Sequence, residues 1–278
     1  MEPMRGKTVV ITGPTSGIGK EIAIGLAGLG ANVVLGCRDT AKGEAVAAEI
    51  QGGKHGGSIE IVAVDVASGK SIEQFTRKIL ETHNRVDVLV NNAGVSRGAQ
   101  PYAKSSDGIE LTFGTNVIGY YLVMLRLLPR LKESAPARIV NVASTFASDL
   151  DLGDLQFQRR TWDSMKAYAQ SKACDRLLTW AMARRLEGSR VTANAMAPGL
   201  IVDTGLYRNA PPQMMEQLRK RGGRTPADGA DTAVWLAGSP DLEGISGQFF
   251  ENRKEIPCSF RGNEAEERLW SICESLTR

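Results

Sequence analysis

The sequence predicts a single α/β domain built on a parallel sheet doubly wound by helices, and three observations carry that prediction. Short β-branched runs alternate with stretches of helical periodicity, which implies parallel pairing and a sheet covered on both faces. A glycine-rich turn follows the first such run. The unusual polar residues then cluster directly after strands, where ligands of such sheets bind, beyond the carboxyl ends at the switch in strand order. With 278 residues, 42% hydrophobic and 23% charged, one large core can form without disulfide staples.

The elements follow in order. Thr8-Val9-Val10-Ile11 reads as a buried strand, and the next helix carries Ile22, Leu26 and Leu29 at helical spacing. Asn32–Leu35 is the second strand, and residues 41–51 form a helix ended by Gly52-Gly53. Residues 59–64 make a third strand, 71–82 a third helix and 86–90 a fourth strand. A long helical pattern runs over residues 107–132, with Pro129 kinking it or closing its end. Strands at 138–143 and 190–196 flank a helix carrying Tyr168 and Lys172, and Gln248-Phe249-Phe250 is a short further strand, about seven in all. From about residue 251 the chain extends further. Residues 264–276 read as an amphipathic helix with Leu269, Trp270, Ile272, Cys273 and Leu276 on one side, opposite Glu266, Glu267, Arg268 and Glu274. Packing on its own domain is the first expectation for that helix. A subunit contact in a homo-oligomer comes second and a membrane-surface anchor third, since its polar face is not basic.

Composition excludes several classes. The net charge of +3 and pI of 8.7 come without a dense Lys/Arg run, so a nucleic-acid partner has no support. Cys37, Cys174, Cys258 and Cys273 are widely spaced, form no Cys-x-x-Cys pair and have only His55 and His83 for company. Idle thiols in a reducing compartment are expected, and no metal site. The N-terminal residues show neither a signal-type apolar stretch nor a membrane span, so a soluble cytoplasmic protein is expected.

The chemistry-bearing residues come in sequence order. Thr12-Gly13-Pro14-Thr15-Ser16-Gly17-Ile18-Gly19 joins the first strand to a helix. Glycines allow a tight turn and close backbone approach, and the helix N-terminus suits a phosphate. The spacing is Gly-x-x-x-Gly-x-Gly, not the usual dinucleotide Gly-x-Gly-x-x-Gly. The fourth strand ends in Asn91-Asn92-Ala93-Gly94, whose small residues leave room for a flat ring. Asn116 interrupts a helical pattern: it is either a solvated helix residue or a disturbance that exposes a carbonyl. Ser144 follows the fifth strand and is either a turn residue or a partner for a substrate oxygen. Tyr168 and Lys172 lie one helical turn apart. An ammonium beside a phenol favours the phenolate, which makes the pair an acid/base device for a carbonyl or alcohol oxygen.

Together these pieces, with Asp65-Val66 and Pro198-Gly199, resemble the short-chain dehydrogenase/reductase family over about residues 6–250, and occur in its order. The segments Gly36-Cys37-Arg38-Asp39 and 149–166, with Leu152-Gly153-Asp154-Leu155, look like its retinol-dehydrogenase-like branch. The resemblance implies a Rossmann-type fold and a nicotinamide-dependent oxidoreductase acting on a small-molecule carbonyl or alcohol. It implies that Tyr168 exchanges the proton, Ser144 holds the substrate oxygen, Lys172 lowers the phenol pKa and bonds the nicotinamide ribose, and Asn116 anchors a relay water. It further implies cofactor contacts from Gly13, Thr15, Ser16, Gly17, Ile18, Gly19, Asp65, Val66, Asn92, Ala93, Gly94, Tyr168, Lys172, Pro198 and Gly199. The family's carboxamide-binding Thr or Ser falls at Asp203 here, so Thr204 takes that part only if the loop carries one extra residue.

NAD-dependent relatives place an Asp or Glu where Cys37 stands, whereas Arg38 offers a fork suited to a 2′-phosphate. This favours NADP (NADPH). The bland alternative, Arg38 solvated and paired with Asp39, leaves no cofactor preference and admits an NAD-dependent alcohol dehydrogenase. A catalytically silent dinucleotide sensor or scaffold would have no need of Ser144, Tyr168 and Lys172 together. Epimerisation or dehydration on this fold usually comes with another glycine spacing and a larger C-terminal domain. The loop with Leu200, Ile201, Leu206, Tyr207, Met214 and Met215 reads equally as an apolar lid or as a loop packed on the body.

Overall fold

A computed structural model of the chain describes residues 3–53, 56–202 and 212–278. Along β1 (Thr8–Thr12), α1 (Gly17–Gly28), β2 (Asn32–Cys37), α2 (Thr40–Gly52), β3 (Ile59–Ala63) and α3 (Gly69–Thr82), strand and helix alternate as the sequence pattern requires. The pattern continues through β4 (Val88–Asn91), a short α4 (Leu111–Phe113), α5 (Gly119–Glu133), β5 (Ala137–Val142), α6 (Ser164–Arg185) and β6 (Val191–Ala197). Helices α7 (Pro212–Lys220) and α8 (Pro226–Gly238), the hairpin β7 (Phe249–Glu251) and β8 (Lys254–Glu255), and α9 (Asn263–Leu276) complete it. The sheet order is β3-β2-β1-β4-β5-β6-β7-β8. Every pairing is parallel except that of β7 with β8.

Strand alternation divides the core into two layers. Val9 and Ile11 of β1, Val88 and Val90 of β4, and Val140 and Val142 of β5 pack against α1, α2 and α8. Val10, Leu89 and Ile139 face the opposite way, toward α3, α5, α6 and α9. The β-branched runs fit because both faces are buried. Glycine lets α1 and α8 approach closely, since a Cβ on Gly25 would stand 2.8 Å from Val234 Cγ2.

Two expectations change. The eighth strand was not foreseen, because the β7–β8 turn is Asn252-Arg253, not Asn-Gly. Both residues have positive φ, 51° and 58°, the conformation of a tight primed hairpin turn. Arg253 is held there by its ion pair with Asp231 and by its N–H on Thr232 Oγ1 at 3.1 Å. The long helix is also differently bounded. Its start is fixed at Glu110, whose carboxylate accepts the N–H groups of Thr112 at 3.0 Å and Phe113 at 2.7 Å. A π turn, Gly114–Ile118, separates α4 from α5, and Pro129 lies inside α5, which runs on to Glu133. The stretch Leu111–Glu133 is long and apolar enough to cross a membrane, but 78% of its most apolar window is buried in the molecule. Core packing accounts for that apolarity.

The tail helix α9 packs on its own domain, against α6. Leu269 and Cys273 are buried, and Trp270 meets Tyr121 edge-on at 5.0 Å and lies under the Arg185 guanidinium at 3.9 Å. One residue placed on its polar side is misassigned. Glu266 is buried, accepts from Gly262 N at 2.9 Å and pairs with Arg184. Glu267 clamps the rim, accepting from Arg184 Nη2 at 2.9 Å and Arg185 Nη1 at 2.8 Å. Hydrogen bonds from Arg185 and Arg184 hold its carboxyl well below its ordinary value, at about 2. A depressed carboxyl contributes stability above its unfolded pKa of about 4.5 and loses it as pH falls through about 2. Because Glu267 is half exposed, Glu267→Gln should cost under about 1 kcal/mol at pH 7. The difference in thermal midpoint between the two proteins should close as pH falls from about 4.5 to about 2. A gap that stays constant over that range would show that the pair does not clamp the tail.

Candidate active site

The switch in strand order falls between β1 and β4, and the carboxyl edge there is stitched together by side chains. Thr12 Oγ1 accepts the N–H groups of Asn92 at 3.1 Å and Ala93 at 3.2 Å. The Asn92 amide returns to the carbonyls of Thr12 and Gly13, both at 3.0 Å. Asn92 thus braces the glycine turn. Gly13 has φ of 68°, and a Cβ there would lie 2.8 Å from Ala93 Cα. On Gly19 a Cβ would overlap the Asn92 amide and the Gly13 carbonyl. These positions therefore admit only glycine. Ser16 precedes α1 with extended backbone and makes no side-chain cap, and the first turn has no acidic residue. The amides that open a helix lack intrahelical acceptors, which suits an anion.

Around this turn the other expected cofactor contacts take different positions. Thr15, Gly17 and Ile18 are partly accessible, and Gly94 is exposed beyond β4. Asp65 is half-buried and turns its own loop, its Oδ1 accepting from Ala67 N at 3.0 Å. Val66 is a core side chain. Cys37 is buried, and burial pushes its thiol up. Arg38 is exposed at the end of β2 and makes no hydrogen bond or ion pair among the described residues. Asp39 caps α2 through Lys42 N and pairs with Lys42 Nζ at 3.0 Å, so it is not the partner of Arg38. Pro198 and Gly199 leave β6 at the same edge, with Gly199 at φ of 84°. Thr204, with Asp203, Leu206 and Tyr207, lies outside the described residues, as does the Met214 side chain. Ile201 is buried against Gly229, so it packs on the body.

Helix α6 is set against the sheet by a polar ladder. Asn91 donates to Asn141 Oδ1 on the neighbouring strand at 2.9 Å, and Asn141 donates to Thr179 Oγ1 at 2.9 Å. Asn116 is fully buried in the π turn, which rules out a solvated helix residue. Its Oδ1 accepts from Val95 N at 2.8 Å, and its amide donates to Val95 O at 3.1 Å and Ser171 Oγ at 2.9 Å. Asn116 therefore ties the loop after β4 to α6, one residue before Lys172.

These constraints bring Ser144, Tyr168 and Lys172 together. The Ser144 hydroxyl pulls the Tyr168 phenol toward its ionised form and accepts Phe146 N at 3.0 Å, so it is both a turn residue and a neighbour of the phenol. Phe146 stacks on the Tyr168 ring, centroids 6.4 Å apart. Lys172 Nζ lies 5.9 Å from that ring and 5.4 Å from the Tyr120 ring. It donates to Val142 O at 2.9 Å and to Asp175 Oδ2 at 2.8 Å. The expectation of a lowered phenol pKa needs correction. Burial raises the Tyr168 pKa, and although the Lys172 ammonium and the Ser144 hydroxyl pull it down, Asp175 adds to the rise and the net shift is upward. Burial would lower the Lys172 pKa, but Asp175 and the two phenols outweigh it and hold the amine charged. Sequence reasoning missed Asp175 and Arg176. The first was legible as an acid three residues after Lys172 on one helix. Arg176 donates to Ser144 O and stacks over Phe249 at 4.1 Å, a contact between distant segments.

A phenol, a hydroxyl and an ammonium at one edge can bind and protonate a carbonyl oxygen, or take the proton from an alcohol. The ion pair below them also supports the fold. Lys172→Ala would leave the Asp175 carboxylate buried without its cation, which costs about 3–5 kcal/mol. Its denaturant midpoint should fall accordingly, and an unchanged midpoint would mean that the pair bears no such strain.

Comparison with known proteins agrees with this geometry. The short chain dehydrogenase family model matches residues 7–214. Mouse retinol dehydrogenase 13 is 38% identical over 96% of this chain and 82% of its own length. Human retinol dehydrogenase 14 is 38% identical over 98% of this chain and 86% of its own. Among solved structures, an uncharacterised protein from Mycobacterium paratuberculosis superposes with TM-score 0.76 at 31% identity, covering 98% of this chain and 94% of its own. The Pseudomonas aeruginosa RhlG/NADP active-site complex gives TM-score 0.73 at 27% identity, covering 88% and 94%. Strand order, glycine turn and family match agree, and the chain belongs to the short-chain dehydrogenase family, in its retinol-dehydrogenase-like branch.

Proposed function

We propose that this protein is an NADP-dependent oxidoreductase that interconverts an apolar carbonyl compound and its alcohol. The observation that carries the reading is the Tyr168 phenol with the Lys172 ammonium 5.9 Å from its ring and the Ser144 hydroxyl as its neighbour. The residues present fit a dinucleotide. The glycine turn is packed without side chains against Ala93 and Asn92, the α1 amides are uncapped, and Arg38 has no partner among the described residues. When bound, the nicotinamide supplies or accepts the hydride. The chain's own groups do the rest. Ser144 orients the substrate oxygen, and Tyr168 gives that oxygen a proton in reduction or takes it in oxidation. Lys172 stabilises the phenolate, and Asn116 fixes the α6 turn that carries both. Arg38 would take a 2′-phosphate, the position where Cys37 offers no carboxylate to repel it.

An apolar substrate suits the surroundings of the phenol. Phe146 stacked on it is 50% exposed, and Met165, one turn earlier on α6, is 51% exposed. The similar proteins named retinol dehydrogenases point the same way. The reading includes a soluble cytoplasmic protein. The free cysteines suit a reducing compartment, and the apolar helix α5 is core.

Tyr168→Phe keeps the ring and removes the proton. It should lower kcat at least about a hundredfold while NADPH affinity stays nearly unchanged. Near-normal turnover by this variant would remove Tyr168 from the chemistry. The same carbonyl panel, assayed with the unmodified protein at one ionic strength, should give a higher kcat/KM with NADPH than with NADH. A clear preference for NADH would refute the Arg38 reading alone, and tight cofactor binding without turnover of any carbonyl would favour a sensor.

A further inference from the structure

The Lys172 ammonium has a buried anionic partner that the proton-transfer scheme above does not use. Asp175 is 0% exposed, and its Oδ2 accepts from Lys172 Nζ at 2.8 Å, while Lys172 is 4% exposed. The two stand three residues apart on α6, so the helix itself sets their register. We propose that Asp175 is a positioning residue of this site: it anchors and neutralises the Lys172 ammonium, so that Tyr168 works beside an ion pair and not beside a bare cation. The inference rests on the proposed role of Tyr168.

Two observations separate this from a stabilising contact alone. First, Asp175 Oδ1 is buried without a hydrogen-bond partner among the described residues. A carboxylate kept only for stability would have both oxygens satisfied, since each unpaired one costs free energy. Second, Lys172 Nζ is already held by Val142 O at 2.9 Å, so Asp175 is not needed merely to give the amine an acceptor. What it adds is charge. Without it, the positive charge of Lys172 would act on the phenol uncompensated.

The groups that face Asp175 are few. On α6 they are Lys172 and Arg176, which favour its ionised form, and Tyr168 and Cys174. From α5 comes the Tyr120 phenol, and from α9 the Cys273 thiol, both kept neutral by burial. Burial raises Asp175 itself to about 6, with Lys172 pulling down, so at neutral and alkaline pH it is an anion. Its anion in turn adds to the rise of the Tyr168 phenol. The sign follows. Removing the charge of Asp175 leaves Lys172 as a net cation beside the phenol, which favours the phenolate and moves its formation to lower pH.

Asp175→Asn keeps the shape and one acceptor for Lys172 and removes the charge. The test follows the ring Cζ resonance of Tyr168 by NMR in tyrosine-labelled protein, assigned by comparison with Tyr168→Phe. In the Asn variant the phenol should titrate about one unit lower than in the unmodified protein, the scale for a nearby charge. The alkaline limb of kcat/KM for carbonyl reduction, where the protonated phenol is lost, should move the same way. A phenol titration that does not move would overturn the proposal, even if the variant were less stable or less active. Because the resonance needs no turnover, a protein with no dehydrogenase activity would still report the coupling, so failure of the proposed function is read separately. Should the Asn variant not fold, lysine labelling of the unmodified protein decides. The Lys172 Cε resonance should stay that of a charged amine past the ordinary lysine range, about 10.4. Loss of its proton below that pH would contradict an anchoring anion.

Discussion

A buried ammonium must be given partners before a fold can close over it. Lys172 meets that condition with the Asp175 carboxylate and the Val142 carbonyl, and the rest of the site follows from where those partners are. Val142 ends β5, so the amine is pinned at the carboxyl edge of the sheet. Asp175 shares its helix, so the amine reports the rotation of α6. Tyr168 lies one turn before it, and the chain leaving β5 through Ser144 stacks Phe146 on its ring. The geometry of the candidate site is therefore a consequence of docking one helix on one strand, with Asn141, Thr179 and Asn116 as the bolts.

The cofactor side is built by the same economy. Thr12 and Asn92 exchange hydrogen bonds across the β1–β4 switch, the one place where neighbouring strands diverge to opposite faces. Closing that crevice brings the glycine turn against Ala93 so tightly that side chains are excluded at Gly13 and Gly19. Close approach of a flat, phosphorylated ligand and close packing of the protein thus make the same demand on sequence. The start of α1 is uncapped, and Arg38 is exposed with no partner among the described residues.

Much of this could be read from the sequence because its signals were local. Buried parallel strands announce themselves as β-branched runs, and Gly13, Ser144, Tyr168 and Lys172 each follow a strand or share a helical turn. What escaped was set by long-range packing. The last strand depends on Asn252-Arg253, a turn that becomes favourable only because Asp231 and Thr232 hold Arg253. Glu266 looked like a surface acid until α6 placed Arg184 over it. The rise of the Tyr168 pKa could not come from a Tyr-x-x-x-Lys spacing, because it sums burial and the charge of Asp175 against the pull of Lys172. Asp175 itself was visible in the sequence, but nothing local distinguished it from an exposed helix acid.

The central claim is that these groups serve a hydride transfer to or from a carbonyl carbon. It is tested most directly by supplying NADPH deuterated on nicotinamide C4, each face in turn, with an apolar aldehyde, and weighing the alcohol formed. The account predicts that one of the two labelled cofactors places deuterium on the carbinol carbon, with NADP+ formed in equal amount. Alcohol formed without the label from either cofactor, or cofactor bound with no alcohol formed from any aldehyde, would contradict it.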